Sequence, residues 1–199
     1  ASDGEILIRG PQVMKGYYNK PEATTSVIDT EGWFATGDIG EIDGEGFLYI
    51  TDRKKDLIVT GGGKNVAPQP IENRLKTNVF VEQAVILGDR RPYLVLLIVP
   101  AVEPLQQWAS QNGIQWSSFE ELVSNQEVLS HLERETLGEL SGLASFETPK
   151  KIALLSEELS IENGMLTPTL KVKRSLVEER FEGVIEQLYT GAVADKTAS

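Results

Sequence analysis

The sequence predicts an α+β protein built around a small mixed sheet, and three observations point to it. The first fifty residues hold short strand-like runs broken by turn formers. Two apolar runs, Val81 to Leu87 and Tyr93 to Val99, are joined by the polar loop Gly88-Asp89-Arg90-Arg91-Pro92 and read as an antiparallel pair. Beyond them, apolar residues recur at helical rather than alternating spacing.

In the first segment Ile6 and Ile8 alternate with polar residues, and Gly10-Pro11, Asn19-Lys20-Pro21 and Asp29-Thr30-Glu31-Gly32 punctuate the chain as turns. Asp43-Gly44 before Phe47-Leu48-Tyr49-Ile50 predicts a hairpin, with the glycine taking the positive φ. Leu57-Ile58-Val59 reads as a short buried strand, Gly61-Gly62-Gly63 as a loop, and Pro68 as the first residue of a helix containing Ile71 and Leu75. Helices are predicted over Val102 to Ser110, Ser118 to Val123 and Val128 to Leu140, and a strand over Ile152 to Leu155. Arg174 to Tyr189 predicts one helix with Leu176, Val177, Phe181, Val184, Ile185 and Leu188 on its apolar stripe. The small, polar residues beyond Gly191 are expected to fray.

The 199 residues, 40% hydrophobic, suffice for a packed core. A net charge of −11 repels phosphate backbones and anionic lipid heads, which argues against nucleic acid as a partner. With no cysteine there is neither a disulfide nor a thiolate metal site. The longest apolar run, Tyr93 to Val102, is half of what a transmembrane helix needs, so no transmembrane segment and a cytoplasmic location are expected, with peripheral membrane contact left open. The abrupt opening at Ala1 reads as a boundary within a longer chain.

Three clusters carry chemistry. In Thr36-Gly37-Asp38 the carboxylate suits two vicinal hydroxyls such as those of a ribose, although the same triplet also makes a plain turn with Asp38 bonded to its own backbone. Asp52-Arg53-Lys54-Lys55-Asp56 is a dense charge run between strand-like segments, equally readable as a solvated linker. The following Gly61-Gly62-Gly63-Lys64-Asn65 is not a P-loop, because Ile58 stands where the first glycine belongs and Asn65 where Ser or Thr belongs. In the cluster from Asn163 to Arg174 turn formers come first, then Lys171 after a proline-restricted stretch, then a basic helix start; Lys171 could deliver a mobile cation to a phosphate or carboxylate, and the plainer alternative is that Lys171, Lys173 and Arg174 are surface residues. His131 has no second histidine or cysteine near it and is expected to be structural, at the surface or partly buried. Glu157 and Glu158 read as solvated charge, and Trp108 and Trp116 as packing residues.

Taken in order, Glu5-Ile6-Leu7-Ile8-Arg9-Gly10, Trp33-Phe34-Ala35-Thr36-Gly37-Asp38, Asp52-Arg53-Lys54-Lys55-Asp56, Gly62-Gly63-Lys64-Asn65-Val66-Ala67-Pro68-Gln69-Pro70-Ile71-Glu72 and Leu166 to Lys171 resemble successive motifs of adenylate-forming, AMP-binding enzymes. The closest likeness is to long-chain fatty acid CoA ligases. It implies a two-step reaction in which ATP and a fatty acid give acyl-AMP, and coenzyme A then takes the acyl group. The fold it implies is a mobile C-terminal lid domain, residues 53–199, preceded by a β-rich remnant of the large N-terminal domain, residues 1–52.

By the same resemblance Asp38 matches the ribose ligand and Arg53 a second nucleotide contact. Lys55 matches the hinge, Gly62 and Gly63 the glycine loop lining the coenzyme A tunnel, and Lys171 the catalytic lysine of adenylation. No residue here matches a metal ligand, and Mg2+ is expected to accompany ATP. The chain departs from the family pattern at Asp52, where glycine is commoner, and at Gly61, where serine is commoner; both changes are expected to make the loop more pliable. The family's phosphate loop and acyl pocket are expected upstream of Ala1, so the fragment alone is expected to be inactive. An acyl-carrier protein as the acceptor, or a non-catalytic binding module of the same fold, are the competing readings.

Overall fold

The computed structural model describes residue 1 and residues 3–190, and its chain divides into two units, Ala1–Leu57 and Ile58–Ser199. The expectation for the residues beyond Gly191 lies outside the described residues.

In the first unit β1 (Glu5–Ile8), β2 (Phe34–Ile42) and β3 (Leu48–Arg53) form an antiparallel sheet in chain order. Asp43 makes the β2–β3 hairpin as the sequence predicts, its Oδ1 accepting from the N–H groups of Glu45 and Phe47, both at 2.9 Å. Those bonds hold the Asp43 carboxyl below its ordinary range, with the Phe47 N–H the largest cause. The positive φ falls on Gly46 (+89°) and not on Gly44, because the aspartate cap extends the turn to Phe47. One element was not foreseen: Asn19-Lys20-Pro21 is not only a turn, since Pro21 opens the short helix α1 (Pro21–Thr25) at a position where the missing proline N–H costs nothing. A single 3-10 turn, Lys54–Asp56, follows β3.

The second unit begins with the two-stranded hairpin β4 (Ile58–Val59) and β5 (Asn65–Val66), then α2 (Pro68–Leu75). Its main sheet has the order β6 (Val81–Leu87), β7 (Val95–Pro100), β8 (Lys151–Leu154). β6 runs antiparallel to β7, and β8 runs parallel to it, so the sheet is mixed. Parallel neighbours need a long crossover. It is supplied by α3 (Val102–Gln111), α4 (Phe119–Val123) and α5 (Gln126–Glu139). Ser118 caps α4 through the Glu121 N–H, and Asn125 caps α5 through the Glu127 N–H at 2.8 Å.

Every residue of β7 is buried. Side chains alternate along a strand, so this needs cover on both faces. Ala84, Ile86, Leu94, Leu96 and Ile98 pack with Ile71, Leu75, Leu105, Leu122, Val128 and Leu132 of α2 to α5 on one face. Val85, Leu87, Val95, Leu97 and Val99 pack with Leu155, Leu159, Met165, Val177, Ile185 and Leu188 on the other. The last three belong to α6 (Arg174–Arg180) and α7 (Glu182–Thr190). The single helix predicted over Arg174 to Tyr189 is thus two, because Phe181 leaves helical geometry (φ −111°, ψ 22°) between them. Leu176, placed on the apolar stripe by spacing, is exposed.

His131 has a packing role, but it is buried and not at the surface or only partly covered as its sequence context suggests. Its ring stacks on Trp108 at 3.9 Å and meets Phe80 edge-on at 4.8 Å. Its Nδ1 lies 3.0 Å from Arg134 Nη2. An arginine can only donate, so Nδ1 accepts and the ring is neutral with its proton on Nε2, an atom with no hydrogen-bond partner among the described residues. Burial lowers the His131 pKa; Glu135 opposes this and Arg134 adds to it. A histidine whose folded pKa is depressed takes up its proton more readily when unfolded. Its contribution is therefore complete above the unfolded value, about 6.5, and shrinks as pH falls below that. Urea unfolding at pH 7.5 and pH 5.5 is expected to show lower stability at the acidic pH, with a smaller drop in His131→Phe; an equal drop in both proteins would remove His131 as the cause.

Candidate functional site

Asp38 lies in β2 and Arg53 ends β3, and the antiparallel register sets them opposite each other. Arg53 Nε meets Asp38 Oδ1 at 2.9 Å, both side chains remaining partly exposed. Such a pair contributes only about 0–1 kcal/mol to stability. The local backbone is fixed by Thr36, whose hydroxyl donates to Ile6 O at 2.8 Å and accepts from the Asp38 N–H at 3.1 Å. The alternative of a plain turn with Asp38 bonded to its own backbone is not what forms: the triplet sits inside a strand and the carboxylate faces Arg53. With one oxygen engaged by Arg53, the carboxylate retains acceptor capacity for hydroxyl donors, so these residues fit a ribose.

Buried Asp52 accepts from the Arg53 N–H at 2.7 Å. Next along, Lys54 and Lys55 behave differently. Lys54 Nζ is held by Asp3 at 2.7 Å and Glu5 at 2.8 Å, and these hydrogen bonds, Asp3's the larger, raise its pKa well above the ordinary lysine value. Lys55 is exposed, sits in the 3-10 turn, and lies two residues before Leu57, where the first unit ends.

Gly62 and Gly63 occupy the β4–β5 hairpin, closed by Thr60 N–H to Lys64 O at 2.9 Å and Gly63 N–H to Thr60 O at 2.8 Å. No helix follows directly, in keeping with the rejection of a P-loop. Of the three glycines Gly61 is tied down: its N–H donates to Arg91 O at 2.7 Å, and a Cβ there would stand 3.1 Å from that oxygen. The exposed Gly62 and Gly63 present bare backbone, which suits the close passage of a thin ligand arm such as pantetheine.

Lys171 lies at the end of a tight hairpin. Thr167 N–H donates to Lys171 O at 2.8 Å, Lys171 N–H to Thr167 Oγ1 at 3.0 Å, and Leu166 bridges to Val172. Leu170 takes a left-handed conformation (φ +60°), strained for a leucine. Lys171 is exposed, and among the described residues its ammonium forms no ion pair. It is therefore available to an external anion.

Asp38 and Arg53 belong to the first unit; Gly62, Gly63 and Lys171 belong to the second. Among the described residues no group of three or more His, Cys, Asp or Glu side chains could hold a metal ion. Glu72 was given no role of its own from sequence, and Arg174, readable there as a surface residue, is instead largely covered in an ion pair with it. Glu72, 3% exposed, accepts the Ile86 N–H at 2.9 Å and the Arg174 Nη2 at 2.5 Å. A signal was present: with Pro68, Ile71 and Leu75 on the buried side of α2, position 72 falls on the same face.

The family model for the AMP-binding enzyme C-terminal domain matches residues 55–193. The chain belongs to this family. Along 95% of its length this AMP-binding C-terminal domain chain is 38% identical to a long-chain-fatty-acid–CoA ligase of Mycobacterium tuberculosis, covering 32% of that protein. It is 41% identical to human long-chain-fatty-acid–CoA ligase 6 over 94% of its own length and 27% of the relative's. The chain thus spans about a third or less of the curated relatives it matches. Among solved structures, the A domain of a carboxylic acid reductase from Segniliparus rugosus, in complex with AMP and a co-purified carboxylic acid, aligns with a TM-score of 0.73 at 28% identity, over 95% of this chain and 28% of that one. The fold class read from the sequence is the one found.

Gly62 and Gly63 differ in backbone demand. Gly63 has φ +74° with open space where a Cβ would project, while Gly62 does not take the left-handed conformation and has its nearest atom 4.0 Å away. Gly63→Ala is expected to lower stability by about 1–2 kcal/mol, and Gly62→Ala by much less. Urea denaturation of the two variants checks this; equal midpoints would show that the hairpin relaxes around Gly63.

Proposed function

We propose that this chain is the C-terminal region of a fatty acid:CoA ligase, which converts ATP and a fatty acid to acyl-AMP and pyrophosphate and then transfers the acyl group to coenzyme A. The observation that carries this reading is 38–41% identity to ligases of that class along nearly the whole chain, in a bacterial and a human relative alike. The geometry agrees with it. A carboxylate and a guanidinium stand side by side at Asp38 and Arg53, and an unpaired ammonium stands at Lys171. We take the second unit, Ile58–Ser199, as the moving lid and the first, Ala1–Leu57, which keeps Arg53 on β3 beside Asp38, as the edge of a large N-terminal domain. Exposed Ile42, Phe47, Leu48, Tyr49 and Ile50 support that edge, being more apolar surface than a finished sheet leaves to water.

In this reading Asp38 accepts the ribose hydroxyls and Arg53 orients that carboxylate while adding positive charge beside the nucleotide. Lys171 lies between the attacking carboxylate and the α-phosphate, where two anions must approach and negative charge passes to the leaving pyrophosphate. Mg2+ bound with ATP would add further neutralisation of the phosphate charge. Gly62 and Gly63 flank the thiol-bearing arm of coenzyme A in the second step, and Lys55 absorbs the rotation between steps. No helix among the described residues is long and apolar enough to cross a membrane. The enzyme is proposed to work in the cytoplasm, meeting membranes only peripherally.

In the full-length protein Lys171→Ala is expected to slow acyl-AMP formation by about two to three orders of magnitude, the usual loss on removing one preorganised electrostatic stabiliser. Conversion of supplied acyl-AMP should stay near normal, and Lys173→Ala should leave both steps near normal. A Lys171→Ala enzyme with full adenylation activity would favour a non-catalytic module, and thioester formed only on an acyl-carrier protein would replace coenzyme A as the acceptor.

Lys55→Pro removes a backbone N–H, fixes φ and pushes Lys54 out of helical geometry, so it should hold the region in one pose. The two half-reactions, assayed separately, are expected to diverge in this variant. Equal loss or equal retention would take the hinge away from Lys55.

A further inference from the structure

The turn that carries Lys171 has two legs, and they are anchored by different physics. On the first leg Met165 and Leu166 are buried in the apolar layer beneath the sheet, at 2% and 8% exposure. On the second leg Lys173 N–H donates to Met165 O at 2.9 Å, and the next residue, Arg174, enters a buried ion pair. Arg174 Nη2 meets Glu72 Oε1 at 2.5 Å, and Arg174 Nε donates to Ile86 O at 3.3 Å. The same Glu72 oxygen accepts the Ile86 N–H. Ile86 lies on β6, an edge strand, so its outward N–H and C=O have no further strand to pair with. Glu72 from α2 and Arg174 from the start of α6 together satisfy both groups.

Only two residues separate Lys171 from Arg174, and a residue spans at most about 3.3–3.6 Å of chain. Any displacement of Arg174 is therefore passed to the lysine. Lys171 itself is exposed and has no ion pair among the described residues, so its place depends on the anchors of its turn. Burial makes the Glu72–Arg174 anchor stiff: their side chains are 4% and 20% exposed, and a bidentate-capable guanidinium with two fixed partners has little freedom.

We propose that Glu72 and Arg174 are positioning residues for Lys171, a clamp between α2, the edge of the sheet and the lysine turn that sets where the ammonium stands during adenylation. The proposal rests on the adenylation role assigned to Lys171 above. It predicts that breaking the clamp harms the step that needs the lysine and spares the step that does not.

The test is made in the full-length protein with Glu72→Gln, Arg174→Met and Arg174→Lys, each half-reaction being assayed separately. Glu72→Gln and Arg174→Met are expected to slow acyl-AMP formation about 10- to 100-fold, the scale of a misplacement near 1 Å, while conversion of supplied acyl-AMP stays within about twofold. Arg174→Lys keeps the charge but not the fork and should fall between. Hydrogen exchange should show lost protection at the Lys173 amide. Should Arg174→Met fail to fold because Glu72 is left buried and unpaired, the double variant Glu72→Met/Arg174→Met removes both charges and is assayed in its place. Equal slowing of both half-reactions would reduce the pair to a structural cap of β6, and unaltered adenylation despite an unprotected Lys173 amide would overturn the clamp. Lys171→Ala, measured alongside, separates the two ideas: if it leaves adenylation intact the role of Lys171 falls, whereas if it alone slows adenylation only the clamp falls.

Discussion

The second unit depends on the burial of β7 on both faces. A strand with six consecutive buried residues cannot stand at the edge of a sheet or against water, so it demands β6 on one side, β8 on the other, and a helical layer above and below. The parallel β8 in turn demands the long crossover that α3 to α5 fill. The parts proposed to act on ligands are short hairpins hung from this frame: one leads from β4 into α2, and the other links β8 to α6. Neither hairpin contributes much core of its own. Both borrow their rigidity from the sheet, Gly61 through the carbonyl of Arg91 and the Lys171 turn through Met165, Leu166 and Arg174.

How much of this was legible follows from range. Features set by neighbours in sequence could be read: the apolar runs of β6 and β7, Pro68 opening α2, and the hairpin at Asp43. Features settled by competition between neighbours were read less well. Gly44 and Gly46 both qualify for positive φ, and the choice fell to the second because Asp43 spends its carboxylate on Phe47. The stripe from Leu176 to Leu188 fits one helix, yet Phe181 leaves helical geometry and the stripe continues in a second helix. Asp38 and Arg53 could be named as a pair by motif, but their contact needed the register of β2 against β3. The burial of Glu72 followed from its place on the apolar face of α2, but its pairing with Arg174 lay beyond reach, since no local pattern tells a carboxylate on a buried helix face which cation it will meet.

Charge is distributed in a way that suits anionic substrates despite the net value of −11. Several cations are already neutralised: Arg53 by Asp38, Lys54 by Asp3 and Glu5, Arg91 by Glu186, Arg174 by Glu72 and Arg180 by Glu157. Lys171 is outside that pattern, as are other exposed lysines such as Lys55 and Lys76. A surplus of carboxylates elsewhere repels stray polyanions, while an exposed ammonium held on a short turn stays available to a single anion.

The separation of Glu72 from Arg174 along the chain, 102 positions, has a consequence for how the protein is made. A ribosome releases α2 and the sheet strands long before α6 emerges, so a nascent chain holds the Glu72 carboxylate at a site where burial is costly until its cation arrives. Until then the carboxylate has only the Ile86 N–H as a partner, which disfavours full closure of the first apolar layer around α2 ahead of the C-terminal helices. Completion of the frame and placement of the lysine become a single late event of synthesis, and a chain interrupted before Arg174 would lack both the lysine's anchor and a settled core.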